Sequence, residues 1–279
     1  MNIRHSIVIA MVYFLSSSLY ASSVSLIGYA IPVSSPVKPA STITGIYSYI
    51  GFSPYSIELE LDNTASSAAG KNQQNTLLIF TDNRSPYTHW RIGTNQVQPE
   101  NGSKGGTYFL GVKFDQRDYY YTLNAEISSN FYVGLYTLAS GEKLTVYQVS
   151  PEITNYFYSA FLPGQIAVTT KGSFQSLSQN LGNGTVQAFG EFSVSNGFGP
   201  LYLTAKSFFG SSQYGVYENG YVVYNSADKF QDGYSLAVRY ALTPASSITA
   251  GYQVFNFTPD GSTSKSTISR LSIMVGINI

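Results

Sequence analysis

The sequence predicts an all-β fold, a single antiparallel β-barrel whose strands cross a membrane. Three observations support this: apolar and polar residues alternate with a period of two, aromatic residues are abundant, and short connections alternate with longer polar ones. Of 279 residues, 11% are charged and 15% aromatic, against roughly 25% charged in an average soluble domain. Zero net charge and zero cysteines argue against a disordered chain, a basic nucleic-acid binder and a cysteine-ligated metal protein.

The first element is a predicted secretory signal peptide, residues 1–21. A positive start at Arg4 and His5 precedes an apolar run of about ten residues ending at Leu15, and small residues lead to a cleavage site after Ala21. The run is too short to cross a bilayer as a helix, which takes about 20 apolar residues. We therefore expect residues 22–279 to form one exported barrel domain.

The remaining elements are predicted strands, from residues 23–31 and 42–50 to the end of the chain. In residues 55–62, Ile57, Leu59 and Leu61 alternate with three carboxylates. Residues 232–240 repeat the pattern, and the last strand, up to Ile279, alternates Leu, Ile and Val with Ser, Met, Gly and Asn. β-Branched and aromatic residues dominate these segments, as strands prefer.

Connections of two lengths are predicted to alternate between these strands. Tight turns fall near residues 51–54, 84–86, 116–118, 155–163, 196–200 and 243–247. Longer polar loops fall near residues 32–41, 64–74, 98–106, 129–142, 174–184, 209–231 and 258–265. This is the asymmetry of a transmembrane barrel with short periplasmic turns and longer external loops. The count is 14 strands, or 12 if one N-terminal pair or the pair around residues 209–231 is miscounted.

Tyrosine and phenylalanine residues gather at the predicted short turns. Such a belt is expected at a membrane interface, because the rings are apolar with a polar tip or edge. The predicted members are Tyr49, Phe52, Tyr55, Tyr87, Phe114, Tyr119, Tyr156, Phe157, Tyr158, Phe161, Phe198 and Tyr240.

Together these features resemble the outer-membrane β-barrels of Gram-negative bacteria, in particular small porin-like proteins. The resemblance covers the whole mature chain and is architectural. Its motif is the alternating last strand, which in that class commonly ends in an aromatic residue and here ends in Ile279. It implies a location in the outer membrane, contact with its lipids and lipopolysaccharide, and recognition of the last strand by the barrel-assembly machinery. We expect a monomer, because trimeric porins usually have more strands, and no nucleic-acid partner.

Charged strand residues are predicted to line the inside of the barrel, because a charge on the lipid face near the midplane costs about 2–4 kcal/mol. The predicted pore-lining residues are Glu58, Glu60, Asp62, Arg91, Lys113, Glu126, Glu152, Lys171, Glu191, Lys206, Arg239 and Arg270. The same reasoning places Asp82 and Asp115 inside. The cluster Glu58, Glu60 and Asp62 either favours cations locally or pairs with a neighbouring strand, for example through Arg91.

The predicted function is passive diffusion of small polar solutes and ions with weak selectivity. The inner charges nearly balance, and a barrel of this size approaches those that leave an aqueous channel. The alternative is a non-conducting barrel with a structural or surface-recognition role through its external loops. The longest of these, 209–231, contains a predicted hairpin turn at residues 218–220. It either extends two strands above the membrane or folds inward as a gate.

An enzymatic barrel is not expected. The mature chain has a single histidine, His89, and no nucleophile motif accompanies it. No catalytic residue, cofactor or metal site is predicted.

Overall fold

The computed structural model describes residues 23–68, 72–101, 104–117, 124–158, 164–181, 184–217, 222–223 and 227–279. The predicted signal peptide lies outside these residues. Within them, no helix has the length and apolar character needed to cross a membrane.

The described residues form sixteen strands separated by turns and loops. The strands are β1 (Ser23–Ser34), β2 (Ser41–Phe52), β3 (Tyr55–Ser66), β4 (Gln73–Asp82), β5 (Thr88–Pro99), β6 (Lys104–Arg117), β7 (Asn124–Thr137), β8 (Lys143–Tyr158), β9 (Gln165–Leu177), β10 (Val186–Phe198), β11 (Leu201–Gly210), β12 (Val216–Tyr217), β13 (Val222–Val223), β14 (Lys229–Thr243), β15 (Ser246–Thr258) and β16 (Ser266–Asn278).

Fourteen of these strands close into one antiparallel barrel, and β12 and β13 form a separate two-stranded sheet. Each barrel strand pairs with the next along the chain, β11 pairs with β14, and β16 pairs with β1 to complete the ring. The predicted all-β barrel of 14 strands is confirmed. Closure leaves no free sheet edge, as a sheet surrounded by lipid requires.

Large apolar side chains cover the outside of the barrel. Ile92, Leu236 and Ile273 are 50–58% exposed, and each alternates with residues that point to the interior. A continuous apolar surface of this kind is unfavourable in water and suits contact with hydrocarbon. The sequence period of two thus separates a lipid-compatible outer face from a mostly polar inner face.

The two ends of the barrel differ in their connections. At one end, which we call the short-turn end, three connections contain only two residues: Ser53–Pro54, 199–200 and 244–245. The opposite long-loop end carries the 18-residue connection 211–228, followed in length by 178–185 and 259–265. The predicted difference in connection length between the two ends is therefore due mainly to a few connections.

Three predicted connections were placed wrongly. Residues 129–137 are not a loop, because β7 continues to Thr137 and the connection is only 138–142. Polar Ser128 and Asn130 on β7 point inward, whereas Phe131 points outward and is 46% exposed. Similarly, β6 extends to Arg117 and β8 to Tyr158, while residues 118–123 and 159–163 lie outside the described part of the chain.

Two prolines interrupt the ladders of the wall. Between β1 and β16 the pairs of Ile31 and Pro32 are missing, and between β8 and β9 those of Ser150 and Pro151, with no change of register. Proline has no backbone N–H to donate to a neighbouring strand. The two interrupted ladders lie on nearly opposite sides of the ring of 14, with six strands between them on one side and eight on the other.

The aromatic belt is present at the short-turn end, with two corrections. Tyr87, Phe114 and Phe157 are 69%, 44% and 52% exposed. Tyr49 lines the interior beside Glu58, its partner on β3, and Tyr156 lies on the inner side of β8. Predicted members Tyr119 and Phe161 lie outside the described residues.

Candidate functional site

The structure places all the predicted pore-lining residues on the inner face of the wall. Each shares its side of a strand with residues buried inside the barrel, opposite the exposed apolar row. Whether they line an open pore stays a prediction. Asp82 departs from the expected pattern: it falls on the outward side of β4, at the short-turn end, where it binds Arg84 with an N–O distance of 2.6 Å.

A charged cavity of about 470 Å³ occupies the interior at the short-turn end, against β2 to β8. Its wall includes the carboxylates of Glu58, Asp115, Glu126 and Glu152 together with Arg91, Lys113 and His89. The remaining lining residues are Tyr49, Ser56, Thr81, Asn83, Val112, Ser128 and Asn130.

Ion pairs link most of the inner charged side chains between strands. Lys113 Nζ lies 2.7 Å from Glu126 Oε2 on the neighbouring strand, and Arg91 Nη2 on β5 lies 3.6 Å from Glu58 Oε1 on β3, across β4. Further pairs between neighbouring strands join Lys171 to Glu152 at 3.9 Å and Lys206 to Glu191 at 3.6 Å. The inner wall is therefore charged, with many of its charges paired locally.

The acidic row of β3 is tied to the wall by neutral donors as well. The hydroxyl of Tyr29 donates to Glu60 Oε1 at 2.5 Å, and the hydroxyl of Tyr47 donates to Glu58 Oε2 at 2.7 Å. Asn75 Nδ2 donates to Asp62 Oδ1 at 2.8 Å. Of the three carboxylates, Glu58 has the ion pair with Arg91 that one interpretation expected, and the neutral donors hold Glu60 and Asp62 in defined positions. Local preference of the row for cations stays a prediction.

Two arginines on the other side of the barrel lie over aromatic rings. The guanidinium of Arg239 is 5.5 Å from the ring centre of Tyr202, and that of Arg270 is 6.0 Å from the ring centre of Phe255. Cation–π contacts of this kind stabilise an arginine in partly buried surroundings. Both positive charges thus face the lumen from β14 and β16.

The connection between β11 and β14 folds into the barrel. We call its described residues 211–217 and 222–223 the plug. Gln213, Tyr214 and Val216 are 0–3% exposed and Tyr217 is 6% exposed, so this segment is packed against the wall rather than solvated above it. Val216 and Tyr217 pair with Val223 and Val222, which agrees with the predicted hairpin, although its turn at 218–220 lies outside the described residues. Of the two alternatives, the inward one is observed.

Three plug side chains contact three different parts of the wall. The wall partners of Tyr214 are Tyr136, Leu144, Val146 and Leu177 of β7 to β9. Those of Val216 are Leu77, Ile79, Phe109 and Tyr132 of β4, β6 and β7. Tyr217 packs into a cluster that includes Phe189, Phe208, Phe255 and Phe257, with its ring centre 4.4 Å from that of Phe189. The plug therefore crosses the lumen at the long-loop end.

Five inner-face residues of adjacent strands form a single cross-strand row beneath the plug. They are Phe109, Tyr132, Gln148, Gln175 and Gln187, each the register partner of the next across β6 to β10. We call this set the amide–aromatic row. Its members are 1–4% exposed, and none carries a formal charge.

The glutamines of the row hold the plug by its polar groups. Gln148 accepts a hydrogen bond from the N–H of Val216 at 3.0 Å and donates to the same residue's carbonyl at 2.7 Å. Gln187 likewise accepts from the N–H of Gln213 at 2.6 Å and donates to its side chain at 2.7 Å. Gln175 accepts from the hydroxyl of Ser212 at 2.7 Å and donates to Gln148 at 2.8 Å.

A salt bridge anchors the last residue of the 211–228 connection. Lys38, in the connection between β1 and β2, binds the buried carboxylate of Asp228, and its Nζ lies 5.2 Å from the ring centre of Phe257. Asp228 also accepts a hydrogen bond from the N–H of Asp260 at 3.1 Å. Three connections of the long-loop end are thus joined around the base of the plug.

Sequence reasoning missed the amide–aromatic row and the salt bridge of Asp228. The period of two puts Gln148, Gln175 and Gln187 on the inner face, so the signal was available, but only formally charged residues were weighed. For metal binding, no group of three His, Asp or Glu side chains suited to hold an ion occurs among the described residues.

Comparison with known proteins identifies the fold. Neither a protein-family model nor a characterised protein sequence matches the chain. A bacterial polysaccharide outer membrane secretin has a TM-score of 0.53 and 10% identity, with 93% of this chain and 99% of that chain covered. A TodX mutant named as a monoaromatic hydrocarbon channel has a TM-score of 0.52 and 8% identity, with 95% and 91% covered. CdiB from Acinetobacter baumannii has a TM-score of 0.50 and 8% identity, with 92% and 60% covered. At these identities the similarity shows the fold alone, that of an outer-membrane β-barrel.

Proposed function

We propose that this chain is an outer-membrane channel for small polar solutes and ions, closed in the present conformation by the plug. The observation that carries this proposal is the charged cavity inside the closed barrel. The cavity lies at the short-turn end, whereas the plug enters the barrel from the long-loop end. At its start the plug is joined to the wall by backbone hydrogen bonds of Ser211 with Ala188 and of Ser212 with Phe230, and beyond Ser212 it is held by side-chain contacts and hydrogen bonds. It can therefore leave the lumen while the barrel stays intact.

The bacterial outer membrane is the proposed location, with the short-turn end toward the periplasm. Support comes from the apolar outer face, from the fold and from the export signal predicted at residues 1–21. This location implies contact with outer-membrane lipids and lipopolysaccharide. The alternating strand β16 is the proposed signal for the barrel-assembly machinery, so deletion of residues 271–279 should prevent membrane insertion.

Weak ion selectivity is part of the proposal. The ion pairs of Glu58 with Arg91 and of Glu126 with Lys113 offset part of the lumen charge locally. Charges that pair locally give a small net potential along a pore axis. The solute has to be inferred from the lumen of this chain, since one structural neighbour is named for polysaccharide and another for monoaromatic hydrocarbon.

Planar-bilayer conductance of refolded residues 22–279 tests the proposal. We expect the native protein to be mostly closed and a variant lacking residues 212–225 to give steady ohmic steps, because the deletion removes the plug. A variant lacking residues 101–103 is the control, as the 100–103 connection contributes no residue to the plug or to the salt bridge at its base. Heat-dependent mobility in detergent gels shows that each variant has folded.

A non-conducting barrel with a surface-recognition role is the second candidate. The complete burial of Gln213 and the low exposure of Val216, at 0% and 3%, favour it, because a tightly packed plug is also what a permanently closed barrel would contain. The same experiment separates the two functions. A folded deletion variant that never conducts would support the second candidate and contradict the channel.

A further inference from the structure

We propose that the amide–aromatic row is a binding site for a neutral, hydroxyl-rich solute such as an oligosaccharide, occupied by the plug in the closed state. This inference rests on the proposed channel function and names its solute class. It starts from the position of the row, which spans five adjacent strands between the charged cavity and the long-loop end. A solute entering from that end meets the row once the plug has moved.

The chemistry of the row excludes charged solutes as its best ligands. Its five side chains carry no formal charge, whereas the ion pairs of the lumen lie closer to the short-turn end. An ion moved from water into an uncharged, enclosed zone loses hydration without gaining a counter-charge. A neutral polar solute does not meet this penalty.

An aromatic hydrocarbon is also a poor match. Each glutamine amide offers donors and an acceptor, and the three amides now contact an N–H, a carbonyl and a hydroxyl of the plug. A hydrocarbon in place of the plug would take away the plug partners of Gln187 and of the Gln175 side-chain carbonyl, at about 1–3 kcal/mol for each buried group. A sugar hydroxyl, which both donates and accepts, can replace each plug contact.

The rings of the row complete the site. Phe109 and Tyr132 are register partners with their ring centres 5.5 Å apart, directly beside Gln148. Aromatic faces next to amide groups suit a sugar ring, because its C–H face is apolar while its edge carries hydroxyls. The Ser212 hydroxyl on Gln175 is an example of such a contact already present in the chain.

Current blockade of the channel lacking residues 212–225 tests this site. Maltohexaose should interrupt the ion current in discrete events, whereas lysine and glutamate at equal concentration should not. Gln148→Leu in this background should shorten each event about tenfold, the effect of losing hydrogen bonds worth about 1.4 kcal/mol. Gln253→Leu is the matched control, because Gln253 lies on the inner face of β15, outside the row.

The outcomes distinguish failure of the site from failure of the channel. A folded variant that never conducts overturns the channel function itself. A conducting variant overturns the sugar site if maltohexaose gives no events, or if Gln148→Leu and Gln253→Leu have equal effects. Blockade by toluene or by a neutral alanine hexapeptide in place of maltohexaose would assign the row to a hydrocarbon or a peptide instead.

Discussion

At the scale of residues, Tyr214 is the only non-glycine residue of the described chain with a left-handed backbone, with φ 51°. This conformation costs a non-glycine residue on the order of 1 kcal/mol or more. Its ring is 2% exposed, with its centre 5.1 Å from that of Tyr136, and burial of an aromatic ring of this size offsets the cost. The strained backbone at Tyr214 is therefore held in place by packing of its ring. If these contacts are lost, the docked conformation of the plug is no longer favoured.

Gly215, the next residue in the chain, lies where the docked plug leaves no space for a side chain. A Cβ atom here would lie 2.1 Å from Ser212 Oγ and 2.8 Å from Tyr217 Cε2. The Ser212 hydroxyl cannot move away freely, because it donates to Gln175. The plug can therefore dock in this conformation only if residue 215 is a glycine.

Gly215→Val is expected to release the plug and leave the barrel folded. Overpacking of this kind costs about 1–3 kcal/mol, comparable with the plug's hydrogen bonds, so open probability in bilayers should rise severalfold. Gly28→Val is the control, since no atom lies within 4 Å of a Cβ built at Gly28. Equal conductance of the two variants would contradict the assignment of the plug as the gate.

At the scale of elements, the salt bridge of Lys38 and Asp228 joins the first connection of the long-loop end to the base of the plug. Side chains of Lys38 and Asp228 are 36% and 6% exposed, so loss of the lysine leaves a largely buried carboxylate with fewer partners. Breaking one half of a buried pair is costly, while an exposed pair contributes little.

Lys38→Met should therefore raise the frequency of openings, and addition of Asp228→Asn should restore much of the closed state. Arg84→Met is the matched control, because the pair of Arg84 with Asp82 is at the other end and Arg84 is 69% exposed. Single-channel recordings in low and high salt measure both effects. An identical opening frequency for Lys38→Met and Arg84→Met would show that the salt bridge does not restrain the plug.

The strands could be predicted from the sequence because one rule controls them. Charges and apolar residues alternate in β3, and the penalty for a charge facing lipid leaves that strand a single orientation. The second part of β7, residues 129–137, was missed because Ser128 and Asn130 face the lumen, and inward polar residues have the composition of a loop. The direction of the plug could not be predicted, since its hairpin alternates equally in water and in the lumen. Its docking depends on wall residues distant in sequence, such as Tyr136 and Phe189.

At the scale of the whole molecule, lumen charge is unevenly distributed around the ring. The inner face of β3 carries Glu58, Glu60 and Asp62, while the inner faces of β14 and β16 carry Arg239 and Arg270. The lumen is therefore locally acidic at β3 and locally basic at β14 and β16. An uneven lumen of this kind orients polar solutes without requiring strong selectivity for either sign of ion.

The barrel is expected to be monomeric in detergent. Exposed apolar residues continue around the wall, for example Leu78 on β4, Phe131 on β7 and Leu236 on β14, at 46–57% exposure, which gives no single distinct interface. Light scattering of the purified detergent complex should give the mass of one mature chain. A trimer mass would contradict this expectation and point to a subunit interface within that apolar surface.

The proline interruptions at Pro32 and Pro151 have a mechanical consequence. Each removes two register pairs from one ladder, and the two gaps are separated by six strands on one side of the ring and by eight on the other. Two weakened ladders on nearly opposite sides let a closed ring flatten into an ellipse more easily than they let it widen. We therefore expect the cross-section of the barrel to deform most easily along one direction, with the circumference constant.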